Sequence, residues 1–245
     1  MRLLDSSYVG SAVEVYNGSS YADIGFNVFG ELDTVALAAH CGSNDGFVSV
    51  WYDQSGNSND AAQGVTGQMP KIYDGTTGVV TENGKPAVQF SKASSYQLNT
   101  STSFSLTDGL TATAVHKNGG SFEYVFLFTT NGAAGQSGFT NTTIRSEISG
   151  RQAPSGSYFA INNSGNPIAD IMTARYDYAN DTLSGNFQGV SKSATGLTDT
   201  ATAVNVITLG FSTDGKMQEC IFWGNLNNAV ADIETAVANY YNITI

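Results

Sequence analysis

The densest group of potential metal ligands in the sequence is the segment Asp53-Gln54-Ser55-Gly56-Asn57-Ser58-Asn59-Asp60. Asp53, Asn57 and Asp60 would supply carboxylate and amide oxygens, which are the ligands that Ca²⁺ prefers. The segment lacks the regularly spaced acids and the terminal bidentate glutamate of an EF-hand loop. Asp and Asn side chains also hydrogen-bond their own backbone in tight turns. The spacing leaves two interpretations open, a calcium site and a turn without metal, and it favours the turn.

The histidines and cysteines do not form a recognisable catalytic or metal-binding pattern. His40 lies near the end of a predicted helix and His116 ends a predicted strand. Neither has the serine and aspartate partners of a catalytic triad in a recognisable motif, so we expect both to be structural. Cys41 and Cys220 are too few for a cysteine-built zinc site. Both lie beside apolar residues, which favours buried free thiols over a disulfide.

Charge and composition narrow the classes of partner. The chain has 245 residues and a net charge of −11, from 10 Lys and Arg against 21 Asp and Glu, with no basic cluster. Because binding to a phosphate backbone needs a basic patch, we expect no nucleic-acid partner. No apolar run approaches the length of a membrane span, and the first residues lack the apolar stretch of a signal peptide, so we expect no membrane insertion.

The composition is typical of a β-protein with many loops. Charged residues make up only 13% of the chain, about half the usual share, and 27 residues are glycine. Residues 47–52 are rich in β-branched and aromatic side chains and run directly into the Asp53 turn, which predicts a core strand. Further runs with period-two alternation follow at close spacing, separated by turn residues. Strands are predicted at Ala12–Tyr16, Pro86–Phe90, Leu110–Val115, Phe122–Phe128, Ile144–Ile148, Tyr158–Ile161, Ile168–Tyr176, Phe187–Val190, Val204–Phe211 and Met217–Trp223.

The connections between these strands are predicted from their turn residues. Residues 63–84 are expected to be a long loop with weak strands at Lys71-Ile72-Tyr73 and Val79-Val80, and residues 131–143 a second long loop. Ser164–Pro167 and Ser149-Gly150 are expected to be turns. Asp214-Gly215 is expected to be a hairpin turn between two neighbouring strands. The sequence favours helices in only two places, at about residues 33–40 and 228–241, the second capped by Asn227 or Asn228. The whole chain, 1–245, is therefore expected to be one all-β domain.

Nearly the whole chain resembles one family, and the motifs that carry the resemblance are densest in residues 1–90. They are Arg2-Leu3-Leu4, Asp23-Ile24-Gly25-Phe26, Leu32-Asp33-Thr34, Trp51-Tyr52-Asp53-Gln54-Ser55-Gly56-Asn57 and Gly84-Lys85-Pro86-Ala87-Val88-Gln89-Phe90. Together they resemble the catalytic domain of α-L-arabinofuranosidase B. The closing strand, Met217–Trp223, and the helix after it are similar to those of many concanavalin A-like lectin and glucanase modules. The resemblance implies an all-β, concanavalin A-like jelly-roll sandwich of two antiparallel sheets with a short C-terminal helix.

The resemblance also implies a glycosidase site, but the sequence supplies only part of it. Asp214, after Leu209-Gly210, matches the position of the family's acid/base residue. Retaining glycosidases need a second carboxyl group about 5–5.5 Å away as nucleophile. The corresponding stretch, residues 122–134, has no carboxylate after its strand, and Glu123 and Glu147 are in other positions. We therefore expect hydrolysis to be absent. Possible sugar-stacking aromatics are Tyr96, Tyr158, Tyr176, Tyr178 and Trp223.

The functional hypothesis from the sequence is a non-catalytic module on the surface of a phage virion, in a capsid decoration, fibre or tail. The resemblance implies that related domains also occur in phage structural proteins, and a fold that keeps its shape without its chemistry suits lectin-like attachment. The expected partners are other virion proteins, a cell-surface glycan, or both, and a homo-oligomer is possible. The alternative is an extracellular α-L-arabinofuranosidase-type glycoside hydrolase acting on polysaccharide. No cofactor is expected apart from the possible Ca²⁺.

Overall fold

The computed structural model describes residues 1–120, 123–141, 144–152, 155–164 and 169–245. The predicted starts of strands at Phe122 and Ile168 lie outside the described residues. So do most of the predicted turn Ser164–Pro167 and the last two residues of the predicted loop 131–143.

Strands dominate the described chain, as the composition predicts. The strands are β1 Val13–Tyr16, β2 Tyr21–Ile24, β3 Gly46–Trp51, β4 Ala61–Ala62, β5 Lys71–Asp74, β6 Gly78–Val79, β7 Thr81–Glu82, β8 Lys85–Pro86, β9 Val88–Gln89, β10 Leu98–Thr100, β11 Phe104–Ser105, β12 Leu110–Lys117, β13 Glu123–Thr130, β14 Ser137–Asn141, β15 Ser146–Gln152, β16 Ser157–Asn162, β17 Ile171–Asp177, β18 Thr182–Phe187, β19 Val190–Thr195, β20 Ala203–Leu209 and β21 Lys216–Trp223. Strand β18 alternates between buried and half-buried side chains, whereas the longer central strands β12, β13, β15 and β17 are buried along most of their length on both faces.

The strands form two antiparallel layers, which we call the front and back sheets. In the front sheet, neighbouring strands follow the order β16-β15-β14-β13-β20-β10-β4, with β11 beside β10 on the edge of β20. In the back sheet the order is β19-β18-β17-β12-β21-β9-β5. The expected jelly-roll sandwich is confirmed.

Strand β3 joins the two sheets. Its first residues, Gly46 and Phe47, pair with β5 of the back sheet, whereas Val50 and Trp51 pair with β4 of the front sheet. Its other edge pairs with β1, which in turn pairs with β2. The apolar run predicted from residues 47–52 is thus a strand that belongs to both layers. This position explains why both of its faces carry apolar side chains.

The hydrophobic core fills the space between the sheets. Phe126 and Phe128 of β13 point inward from the front sheet, and Phe128 meets Tyr176 of β17 edge-on, with ring centroids 5.1 Å apart. Phe139 and Phe222 pack against Phe126 at centroid distances of 4.2 and 4.8 Å. The edge-to-face pairs, Phe128 with Tyr176 and Phe126 with Phe222, add to the gain from burying the rings.

Both predicted helices are present, with one correction to their caps. Helix α1, Thr34–Cys41, begins after Asp33, whose side chain accepts hydrogen bonds from Val35 N and Ala36 N. Helix α2, Val230–Tyr241, begins after Ala229, and no side chain caps it. The prediction of an asparagine cap was wrong, because Asn227 Oδ1 instead accepts a hydrogen bond from Ala229 N in the preceding turn.

In the described part of the chain, no helix has both the length and the apolar character of a membrane span.

Three local predictions were wrong because neighbouring strands override local signals. The predicted strand Phe187–Val190 straddles a hairpin turn, with Gln188 and Gly189 at φ values of 51° and 86° between β18 and β19. The positive φ values allow the tight reversal that joins such strands. The predicted turn Ser149-Gly150 lies within β15, paired on both edges. The polar segment Ser137–Asn141, inside the predicted loop 131–143, is the buried strand β14.

Glu234 is a buried carboxyl group on the face of α2 that packs against the back sheet. Burial raises the pKa of this carboxyl above its ordinary value, although hydrogen bonds from Gly189, Thr173 and Asn186 oppose the shift. Below both its unfolded and its folded pKa, such a carboxyl group is protonated in both states and does not affect the free energy of unfolding. As the pH rises above the unfolded pKa, the unfolded state ionises more readily than the folded state, and the free energy of unfolding falls.

We therefore expect Glu234→Gln to raise the urea midpoint at about pH 7 and to leave it unchanged at about pH 3, where both states are protonated. The exposed Asp232→Asn on the same helix is the control and should lack this pH-dependent gain. The assignment would be contradicted if the difference in urea midpoint between Glu234→Gln and the parent chain were less favourable at pH 7 than at pH 3.

Candidate functional site

A cleft lies on the solvent side of the front sheet, where four consecutive antiparallel strands, β13 to β16, present every second side chain outward. On β15 the inward residue is Ile148, which is fully buried, and its neighbours Glu147 and Ser149 point into the cleft. The cleft has a volume of about 360 Å³, within the range of small-molecule sites. It is lined by Tyr124, Leu127, Gln136, Thr140, Arg145, Glu147, Ser149, Arg151, Tyr158 and Phe211.

Two aromatic rings of the cleft are largely open to solvent. Phe211 is 41% exposed and Tyr158 is 52% exposed. Phe211 contacts Tyr124 at a centroid distance of 5.7 Å, with the rings inclined by 54°. Exposed aromatic side chains supply apolar contact surface at a low cost in conformational entropy. The rings therefore offer a preformed surface for a flat apolar ligand face.

Charged groups occupy the part of the cleft formed by β15 and β16. Arg145 Nη2 lies 3.0 Å from Glu147 Oε2. Burial raises the pKa of the Glu147 carboxyl, and the positive charge of Arg145 partly opposes this shift. Arg151, cross-strand from Tyr158, holds its guanidinium 5.3 Å from the centre of that ring. The cleft thus combines stacking surface with hydrogen-bond donors and an acceptor.

The segment between β20 and β21 places Phe211 at the cleft. This segment crosses from the front sheet to the back sheet, so the predicted hairpin turn at Asp214-Gly215 was wrong. Gly210 begins the crossing at a φ of 72°, and a Cβ there would lie 1.9 Å from the Phe90 ring. Only glycine fits this close approach. Thr213 Oγ1 then donates a hydrogen bond of 2.8 Å to Tyr124 O.

The structure places Asp214 outside the lining of the cleft. Its Oδ1 accepts a hydrogen bond of 2.8 Å from Lys92 N, and the residue that the crossing segment contributes to the cleft is Phe211. The acid/base role of Asp214 therefore rests on the sequence resemblance alone and stays a prediction. Glu123, also considered at the sequence level, is fully buried and contacts His116.

Glu147 is the single carboxylate among the described residues that line the cleft. None of the ten residues outside the described ranges is Asp or Glu. A retaining glycosidase needs two carboxyl groups at about 5–5.5 Å, and an inverting one needs them about 6.5–9.5 Å apart. The cleft supplies half of either arrangement.

The turn at Asp53 uses its oxygens internally. Asp53 Oδ1 accepts from Ser55 N at 2.9 Å, and its Oδ2 accepts from Ser55 Oγ at 2.7 Å and from Asn59 N at 3.0 Å. Asp60 Oδ1 accepts from Asp53 N at 2.8 Å, and the Asn57 amide bonds to Ser55 Oγ. These bonds lower the pKa of Asp53 despite its partial burial. The geometry is that of an Asx-rich turn.

The calcium site itself stays a prediction. Among the described residues, no group of three or more His, Cys, Asp or Glu side chains is arranged to hold a metal ion. Because the turn satisfies its own oxygens, we expect the melting temperature to be the same in CaCl₂ and in EDTA. A melting temperature that rises with calcium, and no longer does so in Asp53→Asn, would establish the site.

The histidines and cysteines have structural surroundings. His40 Nε2 lies 3.0 Å from Val15 O at the packing interface of α1. His116 and Glu123 form a buried pair with Nε2 and Oε2 3.2 Å apart. Cys41 is buried and Cys220 half-buried, and both are free thiols whose pKa is raised by burial, that of Cys41 to about 11. The expectation of free thiols is confirmed.

Only Tyr158 among the proposed stacking aromatics lies in the cleft. Tyr176 is fully buried, and Tyr96 and Tyr178 pack against the core. Trp223 instead borders a second cavity. The sequence analysis missed Phe211, which looked like the end of a strand, and Arg151, which had no recognisable motif. A signal for either would have required knowledge of which face of the sheet is open.

The second cavity is larger, at about 690 Å³, and lies along β21. Some of its polar side chains bind one another or the backbone of the first residues. Arg2 Nε and Nη2 donate to the Glu219 carboxylate at 2.8 and 3.1 Å. Gln54 Oε1 accepts from Leu4 N, and Gln54 Nε2 donates to Arg2 O. Because these bonds attach the first residues of the chain to the sandwich, we interpret the cavity as a structural junction.

Comparison with solved structures identifies the architecture. A GH54 α-L-arabinofuranosidase soaked with a cyclic sulfate inhibitor has a TM-score of 0.67 at 18% sequence identity over 98% of this chain. The fold is that of the arabinofuranosidases. A Glu-to-Gln mutant of a GH54 α-L-arabinofuranosidase, soaked with 4-nitrophenyl α-L-arabinofuranoside, gives 0.66 at 18% identity and the same coverage. An arabinofuranosidase complexed with arabinofuranosyl-α-1,2-xylobiose gives 0.61 at 18% identity over 90% of this chain.

The arabinofuranosidase resemblance drawn from the sequence motifs is thus confirmed at the level of fold. This chain spans 60% of the length of the first two arabinofuranosidase structures and 57% of the third. No protein-family model and no curated protein sequence matches the chain.

Proposed function

We propose that this protein is a non-catalytic glycan-binding module and that the front-sheet cleft is its binding site. The observation that carries the proposal is the pair of open aromatic rings, Phe211 and Tyr158, in a cleft that also holds arginine and glutamate side chains. A sugar ring has an apolar face that packs on an aromatic ring, and hydroxyl groups that bond to polar side chains at the edge. The sugar-derived ligands named for the structures that share the fold support this class of ligand.

Binding is tested by incubating the purified protein on an array of oligosaccharides and by titrating the best ligand calorimetrically. We expect saturable binding of at least one glycan. If no glycan binds at millimolar concentration, the proposal is wrong.

For the front-sheet cleft, the absence of hydrolysis is expected from its single carboxylate. We expect no release of 4-nitrophenol from 4-nitrophenyl α-L-arabinofuranoside above the rate in buffer, because one carboxyl group cannot act as both nucleophile and acid/base. The assay is followed by absorbance at high protein concentration. Turnover that is abolished by Asp214→Asn would establish the alternative, an arabinofuranosidase-type hydrolase, and turnover abolished by Glu147→Gln would place catalysis in the cleft.

The biological setting that we propose is the surface of a phage virion, where the module would bind other virion proteins, a host-surface glycan, or both. The support is the sequence itself, with its few charges, many polar turn residues and net charge of −11. The extracellular setting of a hydrolase is the alternative. The neighbouring genes discriminate between them. Genes for capsid, portal or tail proteins would support the virion setting, whereas genes for carbohydrate metabolism would refute it.

A further inference from the structure

We propose that the glycan bound by the cleft is acidic, and that Arg151 recognises a carboxylate on one of its sugars while Arg145 adds positive charge at the opposite end of β15. This inference rests on the proposed glycan-binding function and adds the chemical class of the ligand. The relevant chemistry is that of a uronic acid or another carboxylated sugar.

The first argument is the sign of the charge in the cleft. The whole chain carries a net charge of −11, yet the side chains that line the cleft include two arginines and one glutamate. The chain has four arginines in all, so half of them lie in this one cleft. A positive cleft on an acidic protein attracts an anionic ligand.

The second argument is the way in which Arg151 is held. Its Nε donates a hydrogen bond of 2.8 Å to Gln136 O, and its Nη1 donates one of 3.4 Å to Gly156 O. The guanidinium also lies over the Tyr158 ring. Its Nη2 makes no hydrogen bond to the described residues. A guanidinium fixed in this way loses little freedom when it binds a ligand, and its planar shape matches a carboxylate.

The third argument is the pair formed by Arg145 and Glu147. Glu147 is 7% exposed and Arg145 is 42% exposed, so the arginine reaches solvent while its partner carboxylate stays below it. Burial raises the pKa of Glu147, which means that the environment already disfavours a negative charge at that depth. A ligand carboxylate at the mouth of the cleft can bind Arg145 alongside Glu147, and it would be less buried there than the Glu147 carboxylate. Arg145 directly precedes β15 and Arg151 lies near its last residue, so the two arginines face different parts of a bound oligosaccharide.

The test compares acidic oligosaccharides with their own methyl esters, which keep the sugar and remove the charge. The probes are oligomers of galacturonate, glucuronate and mannuronate, and sialyllactose, each with its methyl ester, in calorimetric titrations at low and high salt. We expect at least one acid to bind about tenfold tighter than its ester, since hydrogen bonds to charged groups are the stronger ones. The advantage should shrink as salt screens the charges.

Variants of the cleft then assign the effect to its residues. Glu147→Gln removes the competing carboxylate, and we expect it to bind the acid several-fold tighter, a gain that misfolding does not produce. Arg151→Gln is expected to lose most of the preference for the acid over the ester, while Arg151→Lys retains part of it. Lys192→Gln, on the exposed strand β19, removes the same charge away from the cleft and should change nothing.

Each outcome decides one of the two claims. If acids and esters bind equally well, or if Glu147→Gln weakens binding of the acid, the inference is wrong and the proposed glycan-binding function stands. If sulfated oligosaccharides bind better than carboxylated ones with the same variant pattern, the carboxylate assignment is wrong. If neither charged nor neutral glycans bind, the proposed function fails and the inference with it.

Discussion

Replacing Glu123 by alanine is expected to lower the free energy of unfolding by about 3–5 kcal/mol, because it leaves a buried partner without compensation. Glu123 and His116 are 0% and 1% exposed, and their Oε2 and Nε2 atoms are 3.2 Å apart. This is an ion-pair distance, although the contact lacks the alignment of a hydrogen bond. Glu123 Oε1 also accepts a hydrogen bond of 2.8 Å from Gly119 N. The substitution therefore leaves unsatisfied both a buried imidazole and a backbone N–H.

Urea unfolding of the Glu123→Ala variant measures this loss, with the exposed Asp232→Ala as the control that should lie within about 0.5 kcal/mol of the parent. A double-mutant cycle with His116→Ala isolates the interaction between the two side chains. The losses of unfolding free energy in the two single variants should sum to clearly more than the loss in the double variant. Strictly additive losses would show that the two side chains do not act as a pair.

Removing both open rings of the cleft is expected to abolish glycan binding. Each ring is treated as an anchor worth about 2 kcal/mol, so Phe211→Ala and Tyr158→Ala should each weaken binding about 30-fold. The reason is the loss of the apolar surface on which a sugar ring packs. Because Phe211 and Tyr158 are 41% and 52% exposed, we expect their removal to leave the fold intact. Calorimetric titration with the best glycan from the array measures the effect.

The chain offers matched controls for both rings. Phe29 is 85% exposed and Tyr21 is 49% exposed, and both lie outside the cleft. Phe29→Ala and Tyr21→Ala should bind the glycan as the parent does. If the control variants lose as much affinity as the cleft variants, the binding site lies elsewhere.

Much of the architecture is predictable from the sequence because its strands obey simple rules. Period-two runs such as Leu110–Val115 and Met217–Trp223 become β12 and β21, with one face in the core. The failures occur where pairing decides the structure. β14, with the sequence Ser-Gly-Phe-Thr-Asn, has weak local propensity and is a strand because β13 and β15 supply hydrogen bonds on both edges.

The site was less predictable, since it depends on how separate segments meet. The motif-based candidate, Asp214, lies three residues beyond Phe211, the residue that actually borders the cleft. The topology decides this outcome, because residues 210–215 cross between the sheets and do not form a hairpin. Tyr158 was among several candidate aromatics, and only the open face of the front sheet distinguishes it from the buried Tyr176.

The most direct test of the central claim is a crystal structure of the protein with its best glycan from the array. The account predicts an intact sugar ring packed against Phe211 or Tyr158, with a polar group of the ligand within hydrogen-bond distance of Arg151. A ligand in the larger cavity along β21, or a cleaved product in the cleft, would contradict it.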